Sequence, residues 1–245
     1  MKSFRSIAFD PNAFTIELAR FASLLDRKSE LSEKKELLPL FVNSPNLVAM
    51  LGNLHPGITR VDRIASEYDL FGDFACDFAV GDSGRNAYCF IELEDAKRNS
   101  IFTPSSRATP DWATRFEHGF SQIVDWLYKL SDTEKSDAFE NRFCARSIDV
   151  MCILLVGRSA FISQPERRRI LWRERHVVVH SQKIRCLTYD QLREEFSYIL
   201  TTYPKASVAD ERLVARGENR HAGNGADRQG RRMIDMSGRR ANVDT

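Results

Sequence analysis

No stretch of this sequence approaches the roughly 18 consecutive apolar residues that cross a bilayer, and its opening segment, MKSFRSIAFDPNAF, lacks the continuous apolar core of a signal peptide. The expectation is a cytoplasmic protein with no membrane attachment. Cysteine is sparse and unpaired: Cys76, Cys89, Cys144, Cys152 and Cys186 lie scattered, mostly in apolar runs, with no CxxC pair and no histidine at ligand spacing. They read as reduced core thiols rather than as a metal site. An excess of one charge is also missing, since Lys and Arg together number 36 and Asp and Glu 34, for a net +2 at pH 7. Electrostatic binding depends on where charge clusters, so this total argues neither for nor against a nucleic-acid partner. There is no internal repeat of the kind that builds a solenoid.

What is present is the composition of a globular chain: 42% hydrophobic and 29% charged, with a mean hydropathy of -0.38. A length of 245 residues suits one sizeable core with a helical appendage. Residues 1–55 form an N-terminal helical segment by pattern, because FTIELARFASLLDRK has apolar residues at helical spacing. Ser32 with Glu36 lies near a helix start before LLPLF, and Ser44 with Pro45 opens a further short helix. From about Ile58 the texture changes to ITRVDRIASEY, FACDFAV, the turn GDSGRN, and AYCFIELE, which predict three strands, the last two as a hairpin.

Between 110 and 130, Phe116, Phe120, Ile123, Val124 and Leu127 form one helical stripe, and IDVMCILLV, bounded by Gly157, reads as a buried central strand. A basic helix (ERRRILWRERHVV), a strand (KIRCLTY) and a closing helix (DQLREEFSYILTTY, with Asp190 near its start) follow. The core, 56–203, is therefore α/β in the order helix, three strands, helix, strand. Residues 204–245 are poor in large apolar side chains and predict a disordered polar tail.

Three acids stand out within the predicted hairpin. Asp77 sits inside FACDFAV, and Glu92 and Glu94 follow fifteen and seventeen residues later in CFIELE. Side chains two apart on a strand share a face, and hairpin pairing brings Asp77 alongside them. Both strands are otherwise apolar, as strands covered on both faces are. Ionised carboxylates there are costly unless a cation or a hydrogen-bond network compensates them. A divalent ion resolves the repulsion, and oxygen ligands favour Mg²⁺ or Mn²⁺. The bland alternative is that these acids lie at strand ends and meet solvent or an arginine.

The order of elements, with Asp in the second strand and Glu in the third, resembles the PD-(D/E)XK nuclease core, a restriction-endonuclease-like αβββαβ fold with a mixed central sheet flanked by helices. More specifically, SEKKELLPLFVNSPNLV, DLFGDFACDFAV, FIELEDAK, HGFSQIVDW and IRCLTYDQL resemble the successive signature segments of the Shedu family of antiphage defence nucleases, over residues 15–200. The resemblance implies a Mg²⁺- or Mn²⁺-dependent endonuclease acting on DNA, with Asp77 and Glu92 as the metal-binding carboxylates, and a homo-oligomer. It also makes Gln122 similar to the glutamine that several nucleases of this superfamily aim at the active site.

The position two after Glu92, where the superfamily usually carries a lysine, is Glu94. That lysine normally positions the attacking water and neutralises charge on phosphate. Its absence leaves Glu94 to bind a second ion, or Lys97 to reach back from the following turn. His118, four residues before Gln122 on the same helical face, reads as structural. Arg167, Arg168, Arg169, Arg173 and Arg175 form a basic run suited to DNA phosphates or to a solvated helix face. The tail adds Arg231, Arg232, Arg239 and Arg240. Two other readings stay open. One is a catalytically inactive DNA-binding or interaction module that keeps the nuclease fold. The other is a structural α/β protein whose carboxylates pair with arginines and which binds no divalent metal.

Overall fold

A computed structural model describes residues 3–202. The expected disordered tail and its four arginines therefore lie outside the described residues. Seven strands form one mixed sheet in the order β1-β2-β3-β4-β7-β9-β8. Strands β1 (Arg5–Ser6), β2 (Arg63–Leu70), β3 (Phe74–Asp82) and β4 (Ala87–Leu93) pair antiparallel. Strands β7 (Asp149–Leu155) and β9 (Gln182–Leu187) then run parallel to β4, and β8 (Val178–Val179) closes the edge as a hairpin with β9. A separate two-stranded ribbon joins β5 (Phe102–Thr103) to β6 (Asp111–Trp112).

Helices cover both faces, which is why β4 is buried at every position. On one side lie α1 (Pro11–Arg27), α2 (Leu38–Val42), α3 (Pro45–Met50) and the closing helix α7 (189–202). On the other lie α4 (Thr114–Thr133), α5 (Asp137–Phe143) and α6 (Gln164–His176). Alternation along β4 sorts its side chains: Ala87, Cys89, Ile91 and Leu93 pack under α1–α3, and Tyr88 and Phe90 under α4. Glu92 continues the second series.

Local chemistry explains the helix boundaries. The Asp10 carboxylate accepts from the N–H groups of Asn12 and Ala13 at 2.8 and 3.2 Å, and Pro11 opens α1. Ser163 and Glu166 form a capping box on α6. The turn after Leu31 is a π-helical one, Glu33–Leu37, with the Leu37 N–H donating to Ser32 O.

Strand pairing begins at Arg63, five residues later than the pattern from Ile58 suggests. The Thr59 and Arg60 N–H groups donate instead to the Asp82 carboxylate at 3.1 and 3.0 Å, so a side chain satisfies the backbone in place of a ladder. Strand β1, the β5–β6 ribbon and α5 are too short to announce themselves by period. Four cysteines are buried, whereas Cys144 is exposed at the end of α5 in a left-handed conformation, φ 57°. Among the described residues, no single helix is long and apolar enough to cross a membrane.

Arg158 ties the layers at the end of β7. Its Nε lies 3.0 Å from each Asp190 oxygen, and its terminal nitrogens donate to Lys28 O at 2.8 Å and Leu25 O at 3.1 Å. It thus satisfies the carbonyl end of α1 while pairing with the first turn of α7. Arg158→Ala leaves Asp190 with the Ser159 N–H but no cation among the described residues, strands two carbonyls, and is expected to cost about 2–4 kcal/mol in urea unfolding. A loss under about 1 kcal/mol would show the clamp to be incidental.

Candidate active site

The β3–β4 ladder ends at the pair Phe78–Ile91, and the next residue on each strand is acidic, Asp77 on β3 and Glu92 on β4. The β2–β3 ladder is interrupted at the same level. Ser66 pairs with Phe78 and Tyr68 with Cys76, but Glu67, opposite Asp77, has a φ of 47°. This irregularity inverts the alternation, so that Cys76 and Ala79, three apart, both pack on the α4 side. Freed from the ladder, the Asp77 carboxylate accepts from the Leu93 N–H of β4 at 2.7 Å.

Beyond β4 the chain is held from two sides. The Glu94 N–H donates to Leu155 O of β7 at 2.8 Å, and the Tyr189 hydroxyl donates to Glu94 O at 2.9 Å. Ala96 and Leu31 then exchange backbone hydrogen bonds at 2.9 and 3.1 Å. That pairing carries the π-helical turn to the site, where the Glu33 N–H donates to Asp95 Oδ1 at 2.8 Å. Glu33 thereby joins a cluster with Asp77, Glu92 and Glu94.

The electrostatics follow from burial. Glu92, 7% exposed, has its pKa raised by desolvation and then by repulsion from Asp77, Glu94 and Glu33. Among the described residues, no hydrogen bond or ion pair engages its carboxylate. Desolvation likewise raises Asp77, against the Leu93 hydrogen bond that lowers it, with Glu33 and Glu94 raising it and Lys34 lowering it. Glu33 is raised by desolvation and by Glu94. Burial also acts on Asp95, but the hydrogen bonds from Lys97 and from the Glu33 N–H outweigh it and hold that carboxyl low.

Glu94 is compensated. Arg115 Nη1 donates to its Oε2 at 3.1 Å, and His118 Nδ1 lies 3.2 Å from its Oε1, both from α4. Arg115 also lies 3.6 Å from Glu33 and 3.8 Å from Asp95. Lys97 donates to Asp95 at 2.7 Å and, among the described residues, makes no ion pair with Glu92 or Glu94. Gln122 sits one turn beyond His118 on α4; its Oε1 is buried without a hydrogen-bond partner among the described residues, and no hydrogen bond joins it to the acids. The fold thus gathers Asp77, Glu92 and Glu94, and pairs Lys97 with the neighbouring Asp95.

Gly119 permits this approach of α4. A Cβ there would lie 2.7 Å from Leu154 Cδ1 and 3.1 Å from Glu94 Cγ. Gly119→Ala adds helix propensity of about 1 kcal/mol, yet overpacking of a fully buried contact is expected to win, with a net loss of about 1–2 kcal/mol in urea unfolding. A net gain would mean that α4 is free to recede.

Among the described residues, no three His, Cys, Asp or Glu side chains already form a metal cage. Asp77 and Glu92 bring two carboxylates to the end of the β3–β4 ladder instead. Mg²⁺ is commonly held this way, by one or two carboxylates with waters and substrate phosphate supplying the rest. The donor set and the uncompensated Glu92 fit such an ion.

Sequence reading missed Glu33, Lys34 and Arg115. In SEKKELL the charges look like a solvated helix start, and only the Leu31–Ala96 pairing reveals their destination. The basic run on α6 divides. Arg173 chelates Glu117 and lies over the Phe120 ring at 4.0 Å, and Arg169 lies over Phe102 at 4.8 Å, while Arg167, Arg168 and Arg175 are exposed.

A family model described as Shedu protein SduA, C-terminal, matches residues 30–193. No curated protein matches the chain. The matched span contains every residue of the acidic cluster, as well as Arg115, His118 and Gln122.

Proposed function

The chain belongs to the Shedu family, and from that premise we propose that it is a metal-dependent endonuclease that hydrolyses DNA phosphodiester bonds in antiphage defence. One observation carries the reading: half-buried Asp77 and buried Glu92 follow the last pair of the β3–β4 ladder, beside further acids, and among the described residues no cation pairs with Glu92. A fold tolerates such repulsion where a cation offsets it.

Asp77 and Glu92 would hold the ion, Mg²⁺ or Mn²⁺. When bound, it supplies Lewis-acid polarisation of the phosphate and a water made acidic enough to attack. The chain's own groups do the remainder. The Leu93 N–H orients Asp77. Arg115, tied to Glu94, and the exposed Lys34 bring positive charge to the rim, suited to non-bridging phosphate oxygens. In this reading Lys34 and Arg115 take over the neutralising task of the missing lysine. Gln122, with its unsatisfied oxygen, is suited to orient a water or a bound base. The same family membership supports a homo-oligomeric assembly, which light scattering on the full chain tests.

A second reading, a DNA-binding module without catalysis, is favoured by one observation: Glu94 stands at the usual lysine position and is locked by Arg115 and His118. Calorimetric titration with Mn²⁺ and plasmid nicking separate the readings. The nuclease reading expects saturable binding that tightens as pH rises, because Glu92 must release its proton to solvent before it can hold the ion, together with nicking in Mg²⁺ or Mn²⁺. Metal binding without nicking selects the silent module. No binding at all leaves a structural role for the acids.

A further inference from the structure

A second site lies away from the acidic cluster and shares no residue with it. A cavity of about 570 Å³ opens where β1 and β2 meet α5. Arg5 and Arg63 enter from the two strands and Arg142 from α5, against one acid in the wall, Asp62. The cavity is therefore positive.

These arginines are prearranged. Arg63 lies over the Phe4 ring at 5.7 Å and the Tyr88 ring at 5.9 Å, donates to the Tyr88 hydroxyl at 3.2 Å and pairs with Asp62 at 3.5 Å. Arg142 lies over Phe71 at 4.4 Å and is anchored by the Asp69 carboxylate at 3.0 Å. Arg5 is exposed, with no carboxylate partner among the described residues. Planar guanidinium groups fixed by aromatic faces lose little freedom when they grip an oxyanion.

The second indication is independent of charge. Tyr68 lines the cavity, is 2% exposed, and its hydroxyl is buried without any hydrogen-bond partner among the described residues. An unsatisfied buried hydroxyl costs free energy that a bound acceptor would recover. Asn141, elsewhere in the cavity wall, adds a neutral donor and acceptor.

We propose that this cavity binds a nucleoside phosphate, its phosphate gripped by Arg5, Arg63 and the Tyr68 hydroxyl and its base lying against Phe4. The volume exceeds what a bare phosphate fills and falls within the range of small-ligand sites. Phe4, partly exposed in the cavity wall, offers an aromatic surface against which a base can lie.

The test is calorimetry and thermal melting of the full chain in EDTA, so that metal-held phosphate at the acidic cluster does not contribute. The probes are deoxyadenosine monophosphate, inorganic phosphate and deoxyadenosine. Saturable binding is expected for the nucleotide, weaker binding for phosphate alone, and none for the nucleoside. Tyr68→Phe keeps the ring contacts and removes only the donor, and should weaken nucleotide binding about tenfold. Arg5→Ala, an exposed side chain, should weaken it further, while Glu92→Gln leaves it unchanged. Binding that Tyr68→Phe does not alter, binding of phosphate as tight as that of the nucleotide, or no binding of either overturns the proposal without touching the nuclease reading. Loss of binding in Glu92→Gln would place the nucleotide at the acidic cluster and also overturn it.

Discussion

Asp77→Asn and Glu92→Gln should each reduce Mg²⁺-dependent plasmid nicking at least about a thousandfold, which corresponds to roughly 4 kcal/mol of lost transition-state stabilisation. Both substitutions keep shape. The Asp77→Asn side chain retains an oxygen for the Leu93 N–H, which donates to the native carboxylate at 2.7 Å, so the β3–β4 register need not move. What each removes is an anionic ligand to a hard cation. An ion held by only two carboxylates loses half its protein charge with either change, so affinity and chemistry fall together. Initial rates over a range of Mn²⁺ concentrations distinguish the two losses: excess metal should restore part of the activity if affinity dominates. Equal rates in wild type and both variants would remove the catalytic assignment.

In the metal-free protein, the same Glu92→Gln change should raise stability, and by more at high pH. Burial and the neighbouring acids raise the Glu92 pKa in the folded state above its unfolded value. The folded state therefore binds more protons than the unfolded one between the two pKa values, and stability falls as pH rises through that window. Below the unfolded pKa both states are protonated, and the penalty vanishes. Between about pH 5 and pH 8 the advantage of the variant should grow by on the order of 2–4 kcal/mol. For a domain of this size that is roughly 5–10 °C in melting temperature. Adding Mn²⁺ at about pH 8 should stabilise wild type by more than the variant, because wild type has one more carboxylate to neutralise. A melting difference that is the same at both pH values would show that Glu92 finds compensation in the fold.

Both expectations trace to one conflict. Glu92 occupies a strand position whose neighbours on the same face, Tyr88 and Phe90, are fully buried, so local packing asks for an apolar side chain. Glu94 shows how the fold treats an acid it means to settle, with Arg115 and His118 on its two oxygens. Conflicts left unresolved at a few positions are expected where function outweighs stability.

Much of this was legible in residue order. Period and turn chemistry determined the α/β class, the β3–β4 hairpin, the α4 stripe from Phe116 to Leu127 and the central strand β7. Alternation determined that Glu92 and Glu94 lean the same way. These features depend on neighbours within a few residues, where backbone geometry alone carries the information. Only the tertiary structure decided the membership of the site. Glu33 reaches it through a backbone pairing between Leu31 and Ala96, Asp77 is released by a left-handed residue on a different strand, and Lys97 is captured by Asp95. Contacts between residues tens of positions apart are set by how layers pack, and no local period records them.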